Sequence, residues 1–68
     1  MASLKHYRKL HGISLSWLAE QLGIDRSTLW RYERGDVKPP KSILFHAGHL
    51  MHIPLDDFDE LKNDASKQ

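Results

Sequence analysis

Helix breakers fall at short intervals along this chain: Gly12, Gly23, Gly35, the pair Pro39-Pro40, and Pro54. Proline cannot sit inside a helix, and glycine readily takes the left-handed turn that ends one. The apolar residues between these breakers repeat with a period of three to four, and no stretch alternates in the manner of a strand. The chain can therefore fold only into short helices packed on one another. Ser3 caps a first segment running to His11, with Leu4, Tyr7 and Leu10 on one face and Gly12 after it. Ser14 caps a second segment to Leu22, where Leu15, Leu18, Ala19 and Leu22 form a stripe ended by Gly23. Asp25 caps a third, Arg26 to Arg34, with Leu29 and Tyr32 inward and Gly35 closing it. A rigid polar turn, Asp36 to Pro40, leads to a fourth, Lys41 to Met51, whose stripe is Leu44, Ala47, Gly48 and Met51. A fifth, Leu55 to about Lys62, places Leu55, Phe58 and Leu61 inward and is acidic in its first turn, as the helix dipole favours. The expected fold is all-α, with one five-helix domain over residues 1–62 and a polar tail over 63–68.

Sixty-eight residues hold one small core and leave little room for a catalytic pocket. With no cysteine, disulfides, thiolate zinc sites and a catalytic thiol are excluded. No apolar run approaches the length of about 20 residues that a membrane helix needs, and nothing reads as a signal peptide. The expectation is a cytoplasmic binding module, not an enzyme, with no cofactor. The net charge of +1 hides an asymmetry. Residues 1–41 carry eight bases against four acids, whereas residues 42–68 carry two bases against five acids. The first part suits a polyanion and the second repels one.

Segments two and three are joined by Gly23-Ile24-Asp25. Ala19 is small enough to let the following helix cross close by, Gly23 supplies left-handed backbone, and Ile24 fills the angle between the helices. This is the local logic of a helix-turn-helix. The block from Gly12 to Gly35, with Leu-Ala-Glu-Gln-Leu-Gly (18–23) and Tyr-Glu-Arg-Gly (32–35) at their mutual spacing, resembles the Xre family of lambda-repressor-like, Cro-type helix-turn-helix domains. The resemblance continues through Pro39, Leu44, Gly48, Met51, Ile53, Leu55 and Phe58, and so covers about Leu4 to Leu61.

That resemblance implies a dimeric regulator whose third helix enters the major groove of operator DNA. Arg26 and Ser27 then stand where the family reads bases, and Arg31 shares a face with Ser27; an arginine fork suits guanine O6 and N7. Thr28, Arg34, Lys38 and Lys41 are the phosphate candidates, which give affinity and register but no sequence preference. The family pattern also sets Arg8 against Glu33 as a structural ion pair that aims the third helix. Asp25, as a cap, needs only its own helix.

His46, His49 and His52 invite a metal reading. His52, however, lies past the helix end and no carboxylate joins them at ligand spacing, so they read as surface histidines and no metal site is expected. Departures from the family pattern are apolar. Leu15 replaces a polar phosphate-binding residue, and Trp17, Trp30, Leu10 and Leu50 stand where polar or small residues are common. Together they form a candidate contact surface for a second regulatory protein, the bland alternative being that Leu15 and Trp17 lie against helix one and enlarge the core. The dimer candidates are Leu50, Ile53, Leu55 and Phe58, behind an acidic rim of Asp56, Asp57, Asp59 and Glu60. The expected function is a small Cro-like phage or prophage repressor with no length left for an effector domain. The rival is a protein-binding modulator or antitoxin built on the same fold.

Overall fold

Two serine hydroxyls open the first two helices. Ser3 Oγ accepts from the His6 amide at 3.1 Å and starts α1, Leu4–Leu10; Ser14 Oγ accepts from the Trp17 amide at 3.0 Å and starts α2, Leu15–Leu22. α3 is Arg26–Arg34, and α4 is Lys41–Met51, followed by a 3-10 turn at Leu55–Asp57. The computed structural model describes residues 1–61. The fold is all-α, as the periodicity predicts. The expected tail over 63–68 lies outside the described residues.

The core is one cluster. Leu18, Ala19 and Leu22 of α2 meet Leu29 of α3, Leu44, Ala47 and Met51 of α4, Leu4 of α1, and Phe58. The α4 stripe is buried as its spacing requires, and Gly48 belongs to it. A β-carbon there would run into the Ile53 carbonyl oxygen and lie 3.1 Å from Phe58 Cε2, so the close return of the chain after α4 depends on this glycine.

Three expectations need correction. Leu10 does not share the inner face of Leu4 and Tyr7: it is 70% exposed, in keeping with its place among the apolar surface residues. Arg8 is the α1 residue that turns inward beside it, reaching both Glu33 and the Ile13 carbonyl. Asp25 takes the extended N-cap backbone, yet its side chain makes no capping hydrogen bond. The fifth segment is not one continuous helix. After the 3-10 turn, Phe58 is extended (φ −85°, ψ 127°) and forms an isolated parallel bridge with Ala2, and helical backbone resumes at Asp59. The interruption lets Phe58 enter the core while its neighbours bond the N-terminus: Ala2 N–H donates to the Asp57 carbonyl at 3.2 Å, and Asp59 N–H to the Ala2 carbonyl at 2.9 Å.

Glu60 completes this clasp instead of standing on the acidic rim. Both carboxylate oxygens accept from the Leu4 amide, at 3.1 and 3.0 Å, satisfying an orphan donor at the start of α1. Burial pushes the Glu60 carboxyl above the ordinary carboxylate range; the Leu4 amide opposes the shift, and the charges of Asp59 and Glu33 add to it. A carboxyl whose pKa is higher in the folded state binds more protons folded than unfolded. Its contribution is full below the unfolded value and is lost as pH rises through the folded one. The stability of the parent relative to Glu60→Gln should therefore grow as pH falls from neutrality to about 4, near the unfolded value. Urea denaturation of both proteins across that range checks it, and a difference that does not vary with pH contradicts it.

Candidate nucleic-acid interface

The joint between α2 and α3 is built as its residues predict. Gly23 is left-handed (φ 72°, ψ 29°), and the Ile24 amide turns back to the Ala19 carbonyl at 3.0 Å. Ala19 is 2% exposed at the crossing, Ile24 packs partly buried against the core, and α2 makes its most extensive contacts with α3. Leu29 anchors α3 from below, so the outer face of the helix stays open.

A second anchor is ionic. Arg8 Nε and Nη2 donate to Glu33 Oε2 and Oε1 at 2.7 and 3.1 Å, and Arg8 Nη1 donates to the Ile13 carbonyl at 2.8 Å. The two side chains are 12% and 4% exposed. The fork ties α1 to the last turn of α3 and to the loop that opens α2, so the angle of α3 is set from three directions.

The open face carries Arg26, Ser27 and Arg31, all exposed, with Thr28 half-buried beside them. Arg26 Nη1 donates to Ser16 Oγ at 3.1 Å, which draws this guanidinium toward the N-terminus of α2. Arg34 lies 3.3 Å from Asp36, with both side chains about half exposed, and its guanidinium stacks 4.6 Å from the ring centroid of Trp30. Lys41 is exposed at the start of α4. Lys38 Nζ donates to the Glu60 carbonyl at 2.8 Å, so one of its donors ties the loop after α3 to the C-terminal segment.

The apolar candidates divide. Leu15 packs partly against the core and, with Trp30, Asp25, Arg26 and Ser27, lines an open groove at the head of α3. Trp17 and Trp30 remain 44% and 48% exposed. Phe58 is 0% exposed, and this burial withdraws it from the dimer candidates, because its ring fills the space between α1 and α4. Leu50, Ile53 and Leu55 are only partly buried; Ile53 and Leu55 line a second groove with Phe45, which is 65% exposed. Among the described residues no group of three or more histidine or acidic side chains could hold a metal ion.

Sequence reasoning missed Ser16, Asp36 and Glu60. Asp36 is two residues from Arg34 and could have been suspected from charge alone. Ser16 and Glu60 carry no such signal, because the groups they bond lie 10 and 56 residues away along the chain.

Two short helices crossing at a glycine-turned joint, the second held from beneath with a cationic outer face, define a helix-turn-helix unit. The chain belongs to the helix-turn-helix domain family, whose model matches residues 2–61. A protein of Methanocaldococcus jannaschii named an uncharacterized HTH-type transcriptional regulator is 32% identical over 54 residues, 79% of this chain and 82% of its own length. Two provisionally named HTH-type transcriptional regulatory proteins are similar over shorter stretches. The one from Pyrobaculum aerophilum is 45% identical over 40 residues, 59% of this chain, and the one from Pyrococcus abyssi 58% over 33 residues, 48% of this chain. The chain spans only 16% and 10% of those two proteins. No solved structure matches it. Among the described residues, no helix is long and apolar enough to cross a membrane.

Proposed function

We propose that the chain is a sequence-specific DNA-binding transcription regulator that lays α3 in the major groove. The observation that carries this reading is the outer face of α3, where Arg26, Ser27 and Arg31 stand exposed on a helix braced from beneath by the Arg8–Glu33 fork. The names of the three relatives support it. Arg26 and Arg31 read guanine edges, while Thr28, Arg34, Lys38 and Lys41 hold phosphates. Selection from a random duplex pool, followed by fluorescence anisotropy, tests this. Arg31→Ala should cost about 1–3 kcal/mol on the selected duplex and relax its preference, whereas Lys41→Ala should weaken all duplexes alike. Equal losses for Arg31→Ala on selected and random DNA would remove that residue from base readout.

The finer reading is a Cro-like repressor of phage or prophage type, acting in the cytoplasm or nucleoid by occupying a two-fold operator. Two recognition helices must then sit about 34 Å apart, which calls for a homodimer. The remaining contact candidates are Leu50, Ile53 and Leu55, with exposed Phe45 beside the last two. Sedimentation equilibrium should find a micromolar dimer that Phe45→Glu and Leu50→Glu dissolve while circular dichroism keeps its helical signal. A parent that stays monomeric at high concentration sinks the dimer. It would favour the second reading, a protein-masking modulator or antitoxin, for which the exposed surfaces of Trp17 and Trp30 speak.

A further inference from the structure

The groove at the head of α3 has an unusual lining. Its walls are Leu15 from the first residue of α2, Asp25, Arg26 and Ser27 from the opening of α3, and Trp30 one turn further on. It is an open slot of about 490 Å³, not a closed cavity. Two apolar side chains from different helices thus line one slot beside an arginine and a serine on the exposed face of the helix. Three of the five walls are held. Arg26 is drawn toward Ser16 Oγ at 3.1 Å, and the Trp30 ring carries the Arg34 guanidinium at 4.6 Å from its centroid. Leu15 rests partly on the core.

We propose that this slot receives the 5-methyl edge of a pyrimidine in the major groove, so that Leu15 and Trp30 read a methyl group next to the base read by Arg26. The inference rests on the DNA-binding reading above and names a further specificity determinant of the same site. The charge around the slot favours nucleic acid over a protein side chain, because its one acid, Asp25, is outnumbered: Arg26 forms a wall, Arg34 lies on Trp30, and Arg31 stands exposed on the same helix. The major groove presents one apolar group, the methyl at pyrimidine C5, and an apolar contact to it is how a protein distinguishes thymine there. Water against the leucine and indole walls is poorly satisfied, and its displacement from there by a methyl group is favourable. Two bases present this chemistry, thymine and 5-methylcytosine, and the slot contacts the group they share.

The test uses the duplex selected from a random pool, read by fluorescence anisotropy with the whole chain. Replacing one thymine of the site by deoxyuridine removes only the methyl and should weaken binding by roughly three- to fivefold, the value of one buried methyl group. At the same position, a duplex with 5-methylcytosine should bind tighter than one with cytosine by a similar factor, whichever exocyclic groups the site prefers. Leu15→Gln and Trp30→Ala, both on partly exposed side chains, should bind the thymine and deoxyuridine duplexes alike while circular dichroism shows the parent fold. Parent protein that binds thymine and deoxyuridine duplexes equally at every position overturns this inference and leaves the DNA-binding reading intact. So does a methyl effect that survives both variants. Failure to enrich any duplex overturns the DNA-binding reading, and this inference with it.

Discussion

Glu33→Ala is expected to cost about 3–5 kcal/mol of folding stability, because it leaves the Arg8 guanidinium buried without its counter-charge. The loss is large against the whole. At about 0.05–0.15 kcal/mol per residue, a domain of this size holds only about 3–10 kcal/mol in all. Arg8 keeps its bond to the Ile13 carbonyl at 2.8 Å, but a carbonyl supplies no negative charge and the side chain is only 12% exposed. Urea denaturation measures the cost. The double variant Arg8→Met with Glu33→Leu separates the charge from the volume. It should recover most of the loss, since replacing both partners of a buried pair by apolar groups is often neutral or better. A single variant as stable as the parent would mean that water reaches the pair and that α3 is held by apolar packing alone.

Phe58→Ala should cost about 3–5 kcal/mol, the value for deleting a fully buried aromatic ring. The ring is 0% exposed and stands edge-on to Tyr7, with centroids 5.4 Å apart and planes at 85°. Its loss would also loosen the backbone bridge to Ala2, so the Asp59 amide, which donates to the Ala2 carbonyl, should exchange faster with solvent. Phe45→Ala is the natural comparison. That ring is 65% exposed, and at concentrations low enough to keep the chain monomeric its removal should change stability by less than about 0.5 kcal/mol. Thermal denaturation of the two variants side by side decides the matter, and equal losses would place Phe45 in a contact that the monomer does not contain.

These two phenylalanines mark how far the sequence carries. Phe45 lies one residue from Leu44 of the α4 stripe, and its exposure follows from the helical period. Phe58 sits at helical spacing between Leu55 and Leu61, and that spacing predicted a continuous helix. The helix is interrupted because Phe58 is drawn into the core while the flanking peptides pair with Ala2, 56 residues away. Local periodicity cannot register a partner at that distance. The same holds for Glu60, which looked like one more acid on a solvated face and instead bonds the Leu4 amide.

What the sequence determined by itself is local. Serine at 3 and 14, glycine at 23 and 35, and proline at 40 and 54 set where helices start and stop, because capping and backbone geometry need only a few neighbouring residues. The apolar stripes of α2 and α4 settled which faces are buried, and the short joint at Gly23 settled that α3 crosses α2. Tertiary structure alone decided which exposed groups meet. It brought Leu15 and Trp30 into one groove, drew Arg26 to Ser16, and laid Arg34 between Trp30 and Asp36. Those arrangements depend on the angles and offsets at which the helices pack. Such angles are the joint result of every side chain in the core, so no single stretch of the sequence contains them.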